Sequence, residues 1–229
     1  MKSTESNKSE VQTAVRVVVH PYATALPLGC FAFGIGNTLA SAFGLHWIPA
    51  SDTPILAVMM LAFVAPLELI PCIMAFLSRD TGAATAMGIF AAGWVVQGIQ
   101  LLMAGQGTAS PATGIFFLLL ALCLAILAGG TFSGKPLLGA LLCVALLRSI
   151  GASLLQFGIA GGVDVITAAL GFLLAFLAFY CGLGLLLEDI NQKPLPMMFR
   201  RGKAQAAMVD GLQQQLERVS TEAGVRQQL

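Results

Sequence analysis

Apolar residues fill six long stretches of this chain, and short polar or charged segments separate them. A helix needs about 20 apolar residues to cross a hydrocarbon core about 30 Å thick. Six stretches meet or approach that length, the fourth being the shortest: 26–48, 54–77, 84–104, 115–129, 137–158 and 165–187. The pattern therefore predicts an all-α integral membrane protein with six transmembrane helices in each protomer.

The positively charged residues indicate how these helices are oriented. Eleven of the 12 Lys and Arg residues lie outside the spans, and a six-span arrangement places all eleven on one side. They are Lys2, Lys8, Arg16, Arg79, Lys135, Lys193, Arg200, Arg201, Lys203, Arg218 and Arg226. The connections on the other side, 46–53, 105–113 and 159–164, contain none. The positive-inside rule then predicts that both termini are cytoplasmic.

The chain divides into a cytoplasmic tail at 1–23, a six-helix transmembrane domain at 24–190 and a partly helical cytoplasmic tail at 191–229. The polar start does not resemble a cleavable secretory signal. In the second tail, apolar residues three and four positions apart form a narrow helical stripe: Val209, Leu212, Leu216 and Val219. This stripe predicts a marginally ordered tail or, as the alternative, a short helical contact with a protomer or partner.

Several kinds of chemistry are not expected. The five cysteines all fall within spans without a C-x-x-C pair, which favours apolar packing over metal or redox chemistry: Cys30, Cys72, Cys123, Cys143 and Cys181. His20 and His46 lie near opposite interfaces, too far apart to share an ion. We find no nucleophile and base set, phosphate loop or nucleic-acid patch, so no enzyme, cofactor, metal or nucleic-acid partner is predicted.

Two charged residues, Glu68 and Arg148, lie inside spans two and five. An intramembrane charge costs about 2.5 to 3.5 kcal/mol on insertion scales, and it usually faces protein or a water path. Counted from the cytoplasmic ends of their spans, the two residues lie about 13 and 18 Å deep. Similar depth predicts an ion pair. Two interpretations of this pair are open. In the first it only fixes how the two helices pack, and in the second Arg148 attracts an anion or Glu68 carries a proton.

Glu68 also lies between Pro66 and Pro71. Each proline removes a backbone donor and frees a carbonyl one turn earlier, which bends a helix. Such irregularity is tolerated in membranes where protein or cavity water satisfies the freed groups. Span two is therefore predicted to be kinked and to line a path.

Further path residues follow from spacing. Phe33 and Asn37 are four residues apart in span one and share a helix face, as an apolar constriction beside a polar contact requires. Span three contributes Phe90 and Gln97, with Gln100 as a further polar group. With Glu68 and Arg148 these side chains are the predicted lining of a substrate pathway.

The sequence from about 24 to 197 is similar to the acetate uptake transporter family, whose bacterial members are the succinate/acetate permeases. The similarity rests on ordered short motifs: Pro27-Leu28-Gly29 with Phe33-Gly34, the Thr81, Thr85, Phe90, Trp94 spacing, Gly130-Thr131, Tyr180 and Leu195-Pro196. The resemblance implies a six-helix protomer in a hexamer, in a bacterial inner membrane. It also implies a pathway for small monocarboxylates through each protomer, proton-linked or channel-like, with a narrow apolar constriction.

Carried over from the resemblance, the constriction positions are Phe33, Phe90 and, on span five, Ala145, where the permeases have a larger apolar residue. The chain also departs from the family pattern. The opening of span one lacks the signature Asn and first Pro. Glu68 stands where the permeases tend to have Gln, and Arg148 where they have an apolar residue.

The residues and the resemblance together predict a membrane transporter or channel for a small, acetate-like monocarboxylate, proton-linked, with the lipid bilayer and copies of itself as partners. One alternative is a channel for a small neutral polar solute such as urea or a short amide, in which the charges are structural. An alternative of another class is a membrane scaffold or sensor that signals through the C-terminal helix.

Overall fold

The computed structural model describes residues 23–78, 80–104, 109–159, 161–191, 193, 195–202 and 205. In these ranges every regular element is helical, and six helices are long and apolar enough to cross a membrane. They are α1 (Leu26–Gly44), α2 (Ala50–Leu77), α3 (Thr81–Ala104), α4 (Pro111–Thr131), α5 (Pro136–Gln156) and α6 (Val163–Asn191). The six-span, all-α prediction is confirmed. Arg79, Lys203, most of the N-terminal tail and the predicted C-terminal stripe lie outside the described residues.

Prolines mark where several helices begin. Pro27, Pro54, Pro111 and Pro136 occupy the first or second helical position of their segments. The missing N–H of proline costs nothing there, because the first backbone donors of a helix have no intrahelical acceptor.

Helix α2 is irregular in the middle of its span. After a short turn at Ala50–Asp52 it is α-helical at Thr53–Met59, π-helical at Met60–Val64 and α-helical again at Ala65–Leu77. Pro66 is the second residue after the π-helical segment, and its missing N–H removes the regular partner of a carbonyl one turn earlier, within that segment. The predicted irregularity is therefore found at Pro66. The α-helix continues through Pro71. The Pro71 ring packs against Gly29 of α1, where an added Cβ would lie only 2.7 Å from Pro71 Cγ.

Small residues set the spacing between helices. The most extensive contacts join α1 to α6, α4 to α5 and α2 to α3. On α1, a Cβ at Gly34 would lie 3.0 Å from the ring of Phe179, and on α6 a Cβ at Gly182 would lie 2.8 Å from the ring of Phe31. Glycine at both positions lets an aromatic ring of one helix rest on the backbone of the other.

Because six spans alternate in direction, Leu26 and Asn191 lie at the same end of the bundle, here called the terminal end. Polar contacts tie its connections together. Lys135, just before α5, forms an ion pair with Asp80, just before α3.

The segment after α6 folds back onto the same end. Arg200 Nε lies 3.2 Å from Glu188 Oε2, and the other oxygen of this buried carboxylate accepts a hydrogen bond from Leu195 N at 3.0 Å. Arg201 N donates to Gly134 O at 2.9 Å. The chain after the last span is thereby fixed to α6 and to the connection before α5.

A candidate substrate pathway between the helices

A small cavity lies inside the bundle, between α1, α3, α4, α5 and α6. Its volume is about 30 Å³, taken as the space open to the centre of a water molecule. The lining residues are Phe33, Asn37, Phe90, Gly93, Trp94, Gln97, Phe117, Leu120, Ala145, Arg148, Ser149 and Leu174. Since one water needs about 10 to 15 Å³ on this measure, the cavity has room for about two or three water molecules.

The structure brings six of the seven predicted pathway residues to this one cavity: Phe33, Asn37, Phe90, Gln97, Ala145 and Arg148. They come from three helices, α1, α3 and α5. Sequence reasoning missed the contributions of α4 and α6, whose apolar lining residues carry no polar signal. It also missed Trp94, although its spacing of four from Phe90 and three from Gln97 places it on the same face of α3.

Two closely packed aromatic rings line the cavity. The centroids of Phe33 and Phe90 are 4.4 Å apart, and both side chains are buried. Trp94 meets Phe33 edge to face, with ring centroids 6.2 Å apart. Ala145 lies on the same cavity and adds little bulk. Aromatic rings from α1 and α3 and a small residue on α5 thus occupy the three positions where a constriction is predicted.

Glu68 does not line the cavity but lies behind Trp94. The carboxyl group is completely buried, and its Oε1 accepts a hydrogen bond from Trp94 Nε1 at 2.7 Å. Gly36 makes room for the indole, since a Cβ there would lie 2.8 Å from Trp94 Cζ2. Glu68 thus holds the orientation of an aromatic side chain that does reach the cavity.

The predicted ion pair between Glu68 and Arg148 is wrong. Both residues are described, and the ion pairs found in the described chain do not join them. Their depths along the bundle are similar, as expected, but depth says nothing about the direction in which a side chain leaves its helix. Glu68 leaves α2 toward Trp94, whereas Arg148 leaves α5 into the cavity.

Polar atoms surround the Arg148 side of the cavity. Asn37 Nδ2 donates to Phe33 O at 2.8 Å, which leaves Asn37 Oδ1 buried without a hydrogen-bond partner in the described chain. Arg148 Nε and Ser41 Oγ are likewise buried and unpartnered among the described residues. This part of the site offers a cation, a hydroxyl and an amide.

Counted along the helices, Arg148 lies about 5 to 8 Å deeper than the aromatic pair. At 1.5 Å per residue, Phe33 and Phe90 lie about 10 to 13 Å from the terminal end of their helices, and Arg148 lies about 18 Å from it. Within the described ranges no three His, Cys, Asp or Glu side chains are grouped to hold a metal ion.

Six helices long and apolar enough to cross a membrane, packed around a small and partly polar cavity, define the class of the protein: it is a multi-pass membrane protein. Among solved structures, the bacterial acetate channel SatP has the same fold, with a TM-score of 0.66 and 14% sequence identity over 74% of this chain and 94% of that chain. The fold implied by the sequence resemblance is confirmed. No family model and no curated protein sequence matches the chain.

Proposed function

We propose that this protein carries a small, acetate-like monocarboxylate across a membrane through the cavity within each protomer. The observation that supports this most is the convergence of predicted path residues on one narrow cavity, in which an aromatic constriction adjoins an arginine. A fold shared with a protein described as an acetate channel supports the same substrate class.

Proton linkage is part of the proposal. An ionised carboxylate loses its hydration when it passes closely packed aromatic rings, and that loss is expensive in an apolar environment. The uncharged acid avoids most of this cost. Flux should therefore rise as the pH falls toward the pKa of the transported acid, in a channel as well as in a symporter.

The membrane arrangement is also a proposal. Lys135, Arg200 and Arg201 all lie at the terminal end of the bundle, which supports cytoplasmic termini by the positive-inside rule. The sequence resemblance suggests a homohexamer in a bacterial inner membrane.

Uptake into liposomes tests the proposed function. Purified protein would be reconstituted and supplied with labelled acetate or labelled urea at two pH values, with protein-free liposomes as the control. We expect acetate uptake well above the control, faster at the lower pH, and little urea uptake. Equal uptake of both solutes without pH dependence would replace the proposal with a neutral-solute channel. Uptake of neither would favour a scaffold or sensor.

A further inference from the structure

We infer that Arg148 and Ser41 form a binding site for a single carboxylate group on the side of the aromatic pair away from the terminal end. This inference rests on the proposed function and deepens it, because it assigns the residues that select an anion. Neither of these residues is needed for the hydrogen bond that Glu68 makes with Trp94.

The first support is a group of buried polar atoms with nothing to bond. Arg148 Nε, Ser41 Oγ and Asn37 Oδ1 have no hydrogen-bond partner in the described part of the chain. Asn37 and Ser41 are 1% and 2% exposed, so bulk water does not reach them. Buried polar groups in folded proteins are nearly always satisfied, by protein, ordered water or a ligand. Arg148 lines the cavity, so a ligand bound there would supply its missing partner.

The second support is the way Gly171 brings these atoms together. A Cβ on Gly171 would lie 2.0 Å from Ser41 Oγ and 2.8 Å from Arg148 Nε. Ser41 Oγ from α1 and Arg148 Nε from α5 therefore both pack directly against the backbone of α6 at Gly171. Thr167, one turn earlier on α6, places a further buried and unpartnered hydroxyl nearby in the chain. Any side chain at position 171 would displace this arrangement.

The donor types favour an anion. A guanidinium has only donors, and a hydroxyl can donate as well, so both match the acceptor oxygens of a carboxylate. No acidic side chain in the described ranges forms an ion pair with Arg148. A membrane-buried cation without a counter-charge is costly, and a bound anion supplies that charge. The small size of the cavity favours a carboxylate with a very short chain.

Trp94 provides a direct probe of this site, because its indole lines the same cavity as Arg148. The chain has two tryptophans, and the other, Trp47, is 69% exposed. In a Trp47→Phe background, the tryptophan fluorescence of detergent-solubilised protein would be measured during titration with sodium acetate, acetamide or sodium chloride. The sodium salt of a bulky organic anion would keep the ionic strength constant. We expect a saturable response to acetate and none to acetamide.

Substitutions then locate the site. Arg148→Met should weaken the apparent acetate affinity at least about tenfold, because a hydrogen bond to a charged group is worth about 1.5 to 3 kcal/mol. Arg148→Lys keeps the charge but loses the forked donor geometry, so its affinity should be intermediate. Ser41→Ala should cost about two- to tenfold.

Gly171→Ala should weaken binding without removing any donor, and Gly129→Ala is its matched control. Gly129 is also a helical glycine, but a Cβ there would meet nothing within 4 Å. Thermal unfolding and gel filtration would verify that each variant is folded. Should Arg148→Met fail to fold, Ser41→Ala and the glycine pair still decide the question.

An unchanged acetate titration in folded Arg148→Met, or equal effects of the two glycine substitutions, would overturn the site. A response to chloride as strong as that to acetate would overturn the carboxylate assignment. Liposome uptake separates this inference from the proposed function. If Arg148→Met takes up acetate as the wild type does, the binding site is refuted and the proposed function stands. If the wild type takes up no acetate, the proposed function is refuted whatever the titrations show.

Discussion

Replacing Trp94 by Phe removes the indole N–H that Glu68 Oε1 accepts at 2.7 Å. The other carboxyl oxygen, Oε2, already lacks a hydrogen-bond partner in the described chain, and the residue is 0% exposed. The variant would therefore leave a fully buried carboxyl group with neither oxygen bonded. We expect a clear loss of stability and a looser aromatic constriction.

The size of the loss follows from the geometry. A hydrogen bond to a charged group contributes about 1.5 to 3 kcal/mol, and a neutral one about 0.5 to 1.5 kcal/mol. For a chain of this size each kcal/mol shifts the unfolding midpoint by about 2 to 4 °C. If Glu68 is ionised, the lost hydrogen bond alone predicts a fall of about 3 to 12 °C, to which the smaller ring adds a packing loss.

A double-mutant cycle separates these two losses. Thermal unfolding in detergent would be measured for the wild type, Trp94→Phe, Glu68→Leu and the double variant. In the Glu68→Leu background, changing Trp94 to Phe removes ring volume but no hydrogen bond. We expect a coupling of about 1 to 3 kcal/mol. Additive effects, with a coupling below about 0.5 kcal/mol, would refute the view that Glu68 positions Trp94.

Three further outcomes are expected. Phe33→Ala or Phe90→Ala should raise the leak of small solutes into liposomes, because closely packed apolar rings in a pathway exclude water. Unchanged permeability would contradict their assignment as a constriction. Arg200→Met should lower the unfolding midpoint by several degrees, since it leaves the buried Glu188 carboxylate without its cation. Adding Glu188→Gln should recover part of the loss. Equal midpoints for wild type and Arg200→Met would argue against the contact. Glu68→Gln should retain the pH dependence of acetate flux, because Glu68 lies outside the cavity and the titrating acid is the substrate; loss of that dependence would make Glu68 the proton site.

The span prediction succeeded for a simple physical reason. The thickness of the hydrocarbon core fixes the length of a spanning helix, and apolar length can be counted along a sequence. Local backbone rules were equally readable: Pro66 predicted the irregularity that the structure shows as a π-helical segment in α2. The shared face of Phe33 and Asn37 followed from helical periodicity alone, and both side chains do line the cavity.

The partners of the two intramembrane charges were decided by the tertiary structure. Depth along the membrane could be counted, and it placed Glu68 and Arg148 at similar levels. Their contacts depend on how each helix is rotated about its axis and on the order of helices around the bundle. Glu68 meets Trp94, and Arg148 lies beside Ser41 and Gly171.

The sequence could not provide that rotation, because lipid and protein interior are both apolar. A helix of a soluble protein shows which face is buried by contrast with its polar face. In a membrane helix that contrast largely disappears, and packing is set by small residues and close fit instead. The chain by itself therefore determined which segments cross the membrane, while three-dimensional packing decided which side chains face one another inside it.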